Sequence, residues 1–295
     1  MNYAAAVSMF ITPMLLFYII FTFLPVLKTL FFSFYKVEIF GARTSYEYVG
    51  LKNFLDVLNE PVFWKCVRNT LVWALSSPVL ENILGLLLAL YLRRGTKVTK
   101  VFRVLWFMPV LLPQIVVGII WAWIYNSEWG ILNKILSVLG LASLTHAWLG
   151  DPKTALPSLI FVTTWMWTGF SMIILLAAIA SIPKHLLEAA TIDGAKEIQV
   201  LFRVILPLIR PVFIKLVMLS FIGKMKVFDL IWASTLGGPM WATESVATYT
   251  VKRAFFWGTF DKGFPSAMAT LWFFIILSIS IVTTILLLKK KELEY

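Results

Sequence analysis

Six long apolar runs constrain this chain more than any other feature of its sequence. A helix needs about 20 mostly apolar residues to cross the ~30 Å hydrocarbon core of a bilayer. Continuous runs favour helices, because barrel strands are about 10 residues long and alternate in polarity. The pattern predicts an all-α integral membrane protein with six transmembrane helices in a single domain, 1–295. The predicted spans are 4–27, 71–92, 104–125, 156–182, 211–232 and 264–288.

The composition supports a membrane protein and excludes most soluble classes. Hydrophobic residues make up 60% of the chain and charged residues 14%, whereas soluble domains are roughly 45–50% apolar and ~25% charged. The net charge is +11, and most of the basic residues lie between the apolar runs. We therefore interpret them as determinants of how the chain is oriented in the membrane, and we expect no binding of nucleic acid. The one cysteine, Cys66, allows neither an internal disulfide nor a cysteine metal site. The first run lacks a basic leader and a small-residue cleavage site, so we expect it to be a retained span.

Basic residues between the runs predict the orientation of the chain. The second loop, 93–103, connects the second and third runs and has no acidic residue. If there are six spans, this loop lies on the same side of the membrane as the loop 183–210 and the C-terminal tail. Loops on the cytoplasmic side carry an excess of Lys and Arg. We therefore expect a multi-pass protein with both termini in the cytoplasm. The basic residues of the second loop are Arg93, Arg94, Lys97, Lys100 and Arg103.

The loop 183–210 contains a predicted short helix. Pro183 is typical of a first helical turn and Gly194 of a helix end. Ala189 and Ala190 leave a shallow surface that another protein can approach closely. A second helical stretch follows, and Pro207 is expected to end it before the fifth span. A short helix held by two spans can dock into a groove on a cytoplasmic partner, although periodicity alone leaves an ordinary interfacial loop open.

Four charged residues lie in the fifth apolar run, and one of them, Lys215, is near its expected cytoplasmic end and can snorkel to the interface. Each charge costs roughly 2.5–3.5 kcal/mol at a helix centre, so Lys224, Lys226 and Asp229 are expected to face protein or a water-filled cavity. Lys226 and Asp229 are three residues apart and are expected to pair on one helical face. Lys224 would lie about 200° away from Lys226 and line a different surface. Glu81 in the second run could pair with a fifth-span lysine or line the pathway.

The loop 183–210 resembles the EAA signature of the permease subunits of binding-protein-dependent ABC importers. The matching residues are Glu188-Ala189-Ala190, Asp193-Gly194-Ala195 and Ile205-Leu206-Pro207. In that family the loop is a coupling helix that inserts into a cleft of an ATPase subunit. The resemblance implies a type I ABC importer permease core. It assigns coupling to the ATPase to Glu188, Ala189, Ala190, Asp193 and Gly194.

Further motifs resemble the carbohydrate-uptake branch of this family, in particular the first permease of maltodextrin and glycerol-phosphate importers. The resemblance implies a heterodimer with a second permease, a cytoplasmic ABC ATPase dimer, an extracytoplasmic solute-binding protein and surrounding membrane lipid, with no cofactor. It places the protein in a bacterial or archaeal inner membrane. The motifs are Val49-Gly50-Leu51-Lys52-Asn53-Phe54, Asn69-Thr70, Gly130 with Asn133, Phe228-Asp229-Leu230-Ile231, Gly237-Gly238-Pro239 and Thr243.

The same resemblance implies a substrate site. Sugars are recognised by aromatic faces together with hydrogen-bonding groups. The sugar-contacting positions of the maltodextrin permease align with residues of the fourth and fifth runs of this chain. Several of these residues differ in type between the two proteins, so the resemblance does not identify which sugar is bound. With the charged Asp229 added, the predicted substrate-binding residues are Thr163, Met166, Trp167, Phe170, Met225, Lys226 and Asp229.

Three other functions remain as alternatives. A permease of the same machine for a phosphodiester, a polyol or another small solute would have the same motifs. A membrane-embedded enzyme would need catalytic groups, but the histidines are only His146 and His185, and neither an H-E-x-x-H motif nor a phosphate-binding loop is present. We therefore predict no catalytic residue, no metal site and no ATP hydrolysis by this chain. A secondary transporter would be expected to carry inverted repeats, and the sequence shows none.

Overall fold

The computed structural model describes residues 3–40, 43–93, 95–257 and 261–291, so Arg94 of the basic loop lies outside the described residues. Five of the described helices are long and apolar enough to cross a membrane, and a bent pair of shorter helices forms a sixth candidate span. The predicted architecture of six transmembrane helices is confirmed. The spans are Met9–Phe32, Pro61–Leu92, the pair Lys97–Leu111 and Gln114–Ile124, Ala155–Ala180, Glu197–Lys224 and Gly263–Ile285.

Within the described ranges the secondary-structure elements are helices and helical turns apart from one hairpin. In chain order they are α1 (Tyr3–Tyr18), a π-helical turn (Ile19–Phe23), α2 (Leu24–Phe32), β1 (Tyr35–Phe40), β2 (Arg43–Tyr48), α3 (Lys52–Leu58), α4 (Pro61–Leu92), α5 (Lys97–Phe107), a 3-10 turn (Met108–Leu111), α6 (Gln114–Ile124), α7 (Ile131–Val138), a 3-10 turn (Ala142–Leu144), α8 (Ala155–Ala180), α9 (Lys184–Ile192), α10 (Glu197–Val200), a π-helical turn (Leu201–Ile205), α11 (Leu206–Lys224), α12 (Asp229–Ser234), α13 (Val246–Val251), a π-helical turn (Lys252–Phe256) and α14 (Gly263–Lys291).

The chain folds into two compact units, and the first comprises Met1–Trp64 and Val246–Tyr295. In this unit α14 packs against α2 and α3. The antiparallel hairpin β1–β2, which the sequence analysis did not predict, is fixed by two side chains. Asn53 Nδ2 donates to the carbonyl oxygens of Ser33 and Tyr35, at 3.0 and 2.9 Å. Asp261 Oδ1 accepts from the backbone N–H of Val37 at 3.0 Å.

The N-terminal span exposes its side chains along its length. Phe10 is 82% exposed and Phe17 is 66% exposed, and none of the most apolar part of Met9–Phe32 is buried. Water would penalise so much exposed apolar surface, which costs roughly 25 cal/mol per Å². Lipid or another transmembrane helix therefore has to cover the exposed part of this span, as expected of an integral membrane protein.

The second unit, Lys65–Ser245, is built around α8. This helix packs against α5, α11 and α12, and 61% of its most apolar part is buried. A side chain at Gly169 would collide with the carbonyl oxygen of Trp106. Glycine at this position therefore allows α5 and α8 to approach each other closely, as small residues do between membrane helices.

The third span contains Pro109 and Pro113 and is broken between them and the helix that follows. Its two halves are bent by 100° at the segment that ends in Pro113. Leu112 has an extended backbone with ψ of 139°, because the ring of a following proline disfavours the helical conformation. Pro113 also lacks an N–H and cannot continue the helical hydrogen bonds.

The fifth span differs from its prediction at both ends. The helical segment runs without interruption from Glu197 to Lys224, so the predicted helix end at Pro207 is wrong. A π-helical turn precedes the proline, and the N–H of Leu206 reaches back five residues to the carbonyl oxygen of Leu201. Pro207 then lies in the first turn of α11, where its missing N–H is tolerated. The helix ends at Lys224, and α12 begins only at Asp229.

Asn133 organises the connection between α6 and α8. Its Oδ1 accepts from Trp148 Nε1 at 2.8 Å, and its Nδ2 donates to the carbonyl oxygen of His146 at 3.0 Å. Asn133→Ala removes these bonds from a buried position, and at about 1 kcal/mol each we expect it to lower the free energy of unfolding by about 2 kcal/mol. Thermal unfolding in detergent measures the loss. The exposed neighbour Lys134→Ala is the control, and equal melting temperatures for the two variants would contradict this role of Asn133.

Candidate functional site

The short helix predicted in the loop 183–210 is present as α9. It runs from Lys184 to Ile192, with Pro183 before its first turn, so it lies between the two residues that the sequence analysis took as its start and end signals. Gly194 has φ of +76°, a conformation that glycine adopts without steric cost. The backbone N–H of Ala195 bonds to the carbonyl oxygen of Ala190 at 3.0 Å and closes the helix in the manner of a Schellman motif.

The outward surface of α9 carries most of the predicted coupling residues. Glu188, Ala189 and Asp193 are exposed, whereas Ala190 is half-buried. Leu187 packs against the hydrophobic core beneath the helix. Ile192, the last residue of α9, is 86% exposed. The sequence analysis did not name it, although its position as an apolar residue at the end of a mostly polar helix was a usable signal. The result is a helix that packs through Leu187 and presents an exposed, partly apolar outer face.

A cavity of about 420 Å³ lies inside the second unit. Its walls come from α4, α8, the end of α11 and the segment that leads into α12. Of the seven predicted substrate-binding residues, Met225 is buried but does not line the cavity. The structure brings the other six together in its lining: Thr163, Met166, Trp167, Phe170, Lys226 and Asp229.

A buried ion pair forms part of the cavity wall. Lys224 Nζ lies 3.1 Å from Glu81 Oε2 and donates to Thr163 Oγ1 at 3.0 Å. It also lies 4.7 Å from the ring centroid of Trp167, within the range of a cation–π interaction. Ser77 Oγ donates to Glu81 Oε2 at 3.3 Å. Of the two alternatives left open for Glu81, the structure shows the pairing with a fifth-span lysine, which is Lys224, and Glu81 lines the cavity as well.

Two other predictions for the charged residues are wrong. In the described part of the chain Lys226 and Asp229 form no ion pair, and Lys224 and Lys226 line the same cavity. Both errors have one cause, which is that the helix ends at Lys224. The backbone N–H of Lys226 bonds to the carbonyl oxygen of Gly223 at 3.2 Å, so a turn replaces the rotation of 100° per residue that a helix would impose.

The cavity combines aromatic faces with hydrogen-bonding groups. Trp167 and Phe170 meet edge to face, with centroids 5.9 Å apart. The lining also includes Trp73, Gln114 and Phe228, which the sequence analysis missed. Gln114 reaches the cavity because it directly follows the break at Pro113. A polar residue next to a proline within an apolar run is the sequence signal by which it could have been predicted. Such a lining suits a solute that carries both hydroxyl groups and apolar ring faces.

Two motif residues of the sequence stabilise a loop and do not line the cavity. Asn69 Nδ2 donates to the carbonyl oxygens of Trp241 and Glu244, at 2.9 and 3.1 Å. Thr243 Oγ1 donates to the carbonyl oxygen of Gly238 at 2.7 Å. These bonds hold the segment 237–244 against α4. Among the residues that the structure describes, no group of three His, Cys, Asp or Glu side chains is placed to hold a metal ion.

Comparison with known proteins shows the family. The family described as "Binding-protein-dependent transport system inner membrane component" matches residues 81–290. The trehalose/maltose transport system permease protein MalF of Thermococcus litoralis is 35% identical over 272 residues, covering 92% of this chain and 90% of that protein. A probable ABC transporter permease protein, YurN of Bacillus subtilis, is 34% identical over 276 residues and 92% of each chain.

A solved structure shows the same fold. It is described as a bacterial ABC transporter involved in the import of the acidic polysaccharide alginate, and one of its chains superimposes with a TM-score of 0.84 at 21% identity, over 96% of this chain and 95% of that one. Proteins of this family are transport permeases and not enzymes, since ABC importers carry their ATPase in a separate subunit. The chain therefore belongs to the binding-protein-dependent transport system inner membrane components, the permease subunits of ABC importers.

Proposed function

We propose that this chain forms half of the translocation pathway of a carbohydrate importer and that the 420 Å³ cavity is its sugar site. One observation carries the proposal. Residues from the fourth and fifth runs, such as Thr163 and Lys224, which are 61 positions apart, enclose a space with aromatic faces and hydrogen-bonding groups. Aromatic faces next to hydrogen-bonding groups suit the alternating apolar and polar surfaces of a sugar ring. The trehalose/maltose name of one relative is consistent with this substrate class.

The importer needs partners that this chain does not supply. We propose a second, different permease, a cytoplasmic dimer of ABC ATPases and an extracytoplasmic solute-binding protein. Both termini and α9 would lie on the cytoplasmic side, where the second loop is basic. ATP binding would close the ATPases and move α9, and α9 would carry α8 and α11 with it because it connects them in the chain. The cavity would then open to the other side of the membrane.

Affinity purification followed by uptake measurement tests the proposed machine. The tagged chain is purified in mild detergent from cells that express its neighbouring genes, and the complex is placed in liposomes with loaded binding protein. We expect recovery of an ATPase and of a second permease, and ATP-dependent uptake of a sugar. A chain recovered alone, or uptake that persists without the ATPase, would contradict the proposal.

Lys226 offers a test of the cavity. Lys226→Ala removes a cationic donor from the lining, and a hydrogen bond to a charged group contributes about 1.5–3 kcal/mol. We therefore expect uptake at limiting sugar to fall about tenfold or more. Lys215→Ala is the matched control, because Lys215 lies on α11, the helix that precedes Lys226, is exposed and does not line the cavity; it should change uptake less than twofold. Equal small effects would mean that the site is elsewhere.

A second candidate substrate is an anionic small solute such as a phosphodiester, or an uncharged polyol. One observation bears on a charged solute: within the described residues Lys226 and Asp229 both line the cavity without an ion-pair partner, so a cationic and an anionic group are both available to it. Competition decides between the candidates. Excess glycerophosphodiester should leave uptake of the labelled sugar unchanged if the importer is specific for sugars, and should abolish it if the anion is the substrate.

A further inference from the structure

A second cavity, of about 740 Å³, lies beside α9 and shares no lining residue with the first. Its walls come from α5, from the second half of α8, from α9 and from the start of α10. One wall is apolar and the other is charged. We call this cavity the arginine groove and define it by Ile173, Leu176, Leu187, Arg93, Arg103 and Glu197.

The protein leaves the arginines of this groove incompletely satisfied. Arg103 Nη2 donates to the carbonyl oxygen of Leu92 at 2.6 Å, which fixes the guanidinium at the end of α4. Its buried Nε has no acceptor among the described residues. Within the same residues none of the three charged side chains of the groove, Arg93, Arg103 and Glu197, forms an ion pair. Two guanidinium groups therefore face one carboxylate, which leaves a net positive charge.

We propose that the arginine groove binds an anionic phospholipid. The phosphate would lie at Arg93 and Arg103, because the planar guanidinium matches phosphate oxygens. An acyl chain would cover the wall formed by Ile173 and Leu176 of the transmembrane helix α8. Basic pockets between transmembrane helices at the cytoplasmic face attract anionic headgroups. A soluble anion would leave the apolar wall uncovered, and for this reason the groove fits a lipid better than free phosphate.

A lipid in this groove would contact the coupling helix directly. Leu187 and Thr191 of α9 line the groove from its other side. A bound lipid would fill the space between α9 and α8 and restrain α9 against the spans. The occupancy of the groove would thereby link the lipid composition of the membrane to the coupling of ATP hydrolysis with transport.

Retention of lipid by the purified importer tests this proposal. The complex is incorporated into nanodiscs of equal phosphatidylglycerol and phosphatidylcholine, extracted with mild detergent, and its bound lipid is identified by mass spectrometry. We expect an excess of phosphatidylglycerol. Arg93→Gln should reduce this excess about fivefold, which corresponds to the ~1 kcal/mol that one basic residue contributes to binding an anionic membrane surface. Arg103→Lys, which keeps the charge but loses the planar donor fork, should reduce it as well.

The control removes the same charge from the same segment. Lys100 is exposed and does not line the groove, so Lys100→Gln should retain the excess of phosphatidylglycerol. An equal loss in Lys100→Gln would show diffuse attraction to the membrane surface and overturn the proposal, as would an unchanged excess in Arg93→Gln. Displacement of the lipid by millimolar glycerol phosphate would show a site for a soluble anion. Because bound lipid is the readout, the result does not depend on which solute the importer carries.

Discussion

Replacing Glu188 by lysine is expected to abolish recovery of the ATPase with this subunit while the subunit still inserts into the membrane. Glu188 is exposed on α9, so the substitution leaves the core intact. It reverses the charge in the middle of the proposed docking surface, and unfavourable charge contacts across an interface cost several kcal/mol. Affinity purification with quantification of the ATPase measures the effect.

Gly194→Asp should produce the same loss for a different reason. At φ of +76° a residue with a Cβ is disfavoured by roughly 1–2 kcal/mol, so the turn that ends α9 is strained. Glu128→Lys, the same change of charge at an exposed position in the connection between α6 and α7, is the control for both variants and should leave recovery of the ATPase normal. Normal recovery with Glu188→Lys would refute the assignment of α9 as the coupling helix.

Removal of one partner of the buried ion pair is the second change with a large expected effect. Lys224→Met leaves the carboxylate of Glu81 buried, at 1% exposure, without its cation. Breaking a buried pair in this way typically costs 3–5 kcal/mol. We therefore expect a strongly lowered melting temperature in detergent and little protein in the membrane.

The double variant Glu81→Met with Lys224→Met separates stability from function. It removes both charges, and well-packed apolar replacements of a buried pair are often neutral or stabilising, so we expect it to restore the melting temperature. Uptake should stay low, because Lys224 and Glu81 line the cavity. Single variants as stable as the unmodified protein would show that the pair contributes nothing to the fold, and normal uptake by the double variant would remove it from the substrate site.

The features that could be predicted from the sequence are those set by local rules. The spans follow from the thickness of the bilayer, and α9 follows from Pro183 and Gly194, which act on their own neighbours. The bend of the third span follows from Pro113 in the same way. The resemblance to the EAA signature then gave the coupling residues a role that periodicity could not.

The features that could not be predicted depend on where helices end and what they meet. Lys224, and not Lys226, pairs with Glu81 because α11 stops at Lys224, and no proline or local motif marks that position. The hairpin β1–β2 is held by Asp261, which lies 224 positions from Val37 in the sequence, together with Asn53, which follows the hairpin. Gln114 faces the cavity only because the third span bends by 100°. Each of these requires tertiary contacts that a periodic pattern does not contain.

An electron cryomicroscopy structure of the assembled importer with its transported sugar tests the central proposal most directly. The complex would be trapped after release of sugar from the binding protein, with the ATPases held closed by an ATP analogue. The proposal predicts density for the sugar in the 420 Å³ cavity, against the ring of Trp167 and within hydrogen-bonding distance of Lys226. Sugar density at another place in the pathway, with this cavity empty, would contradict it.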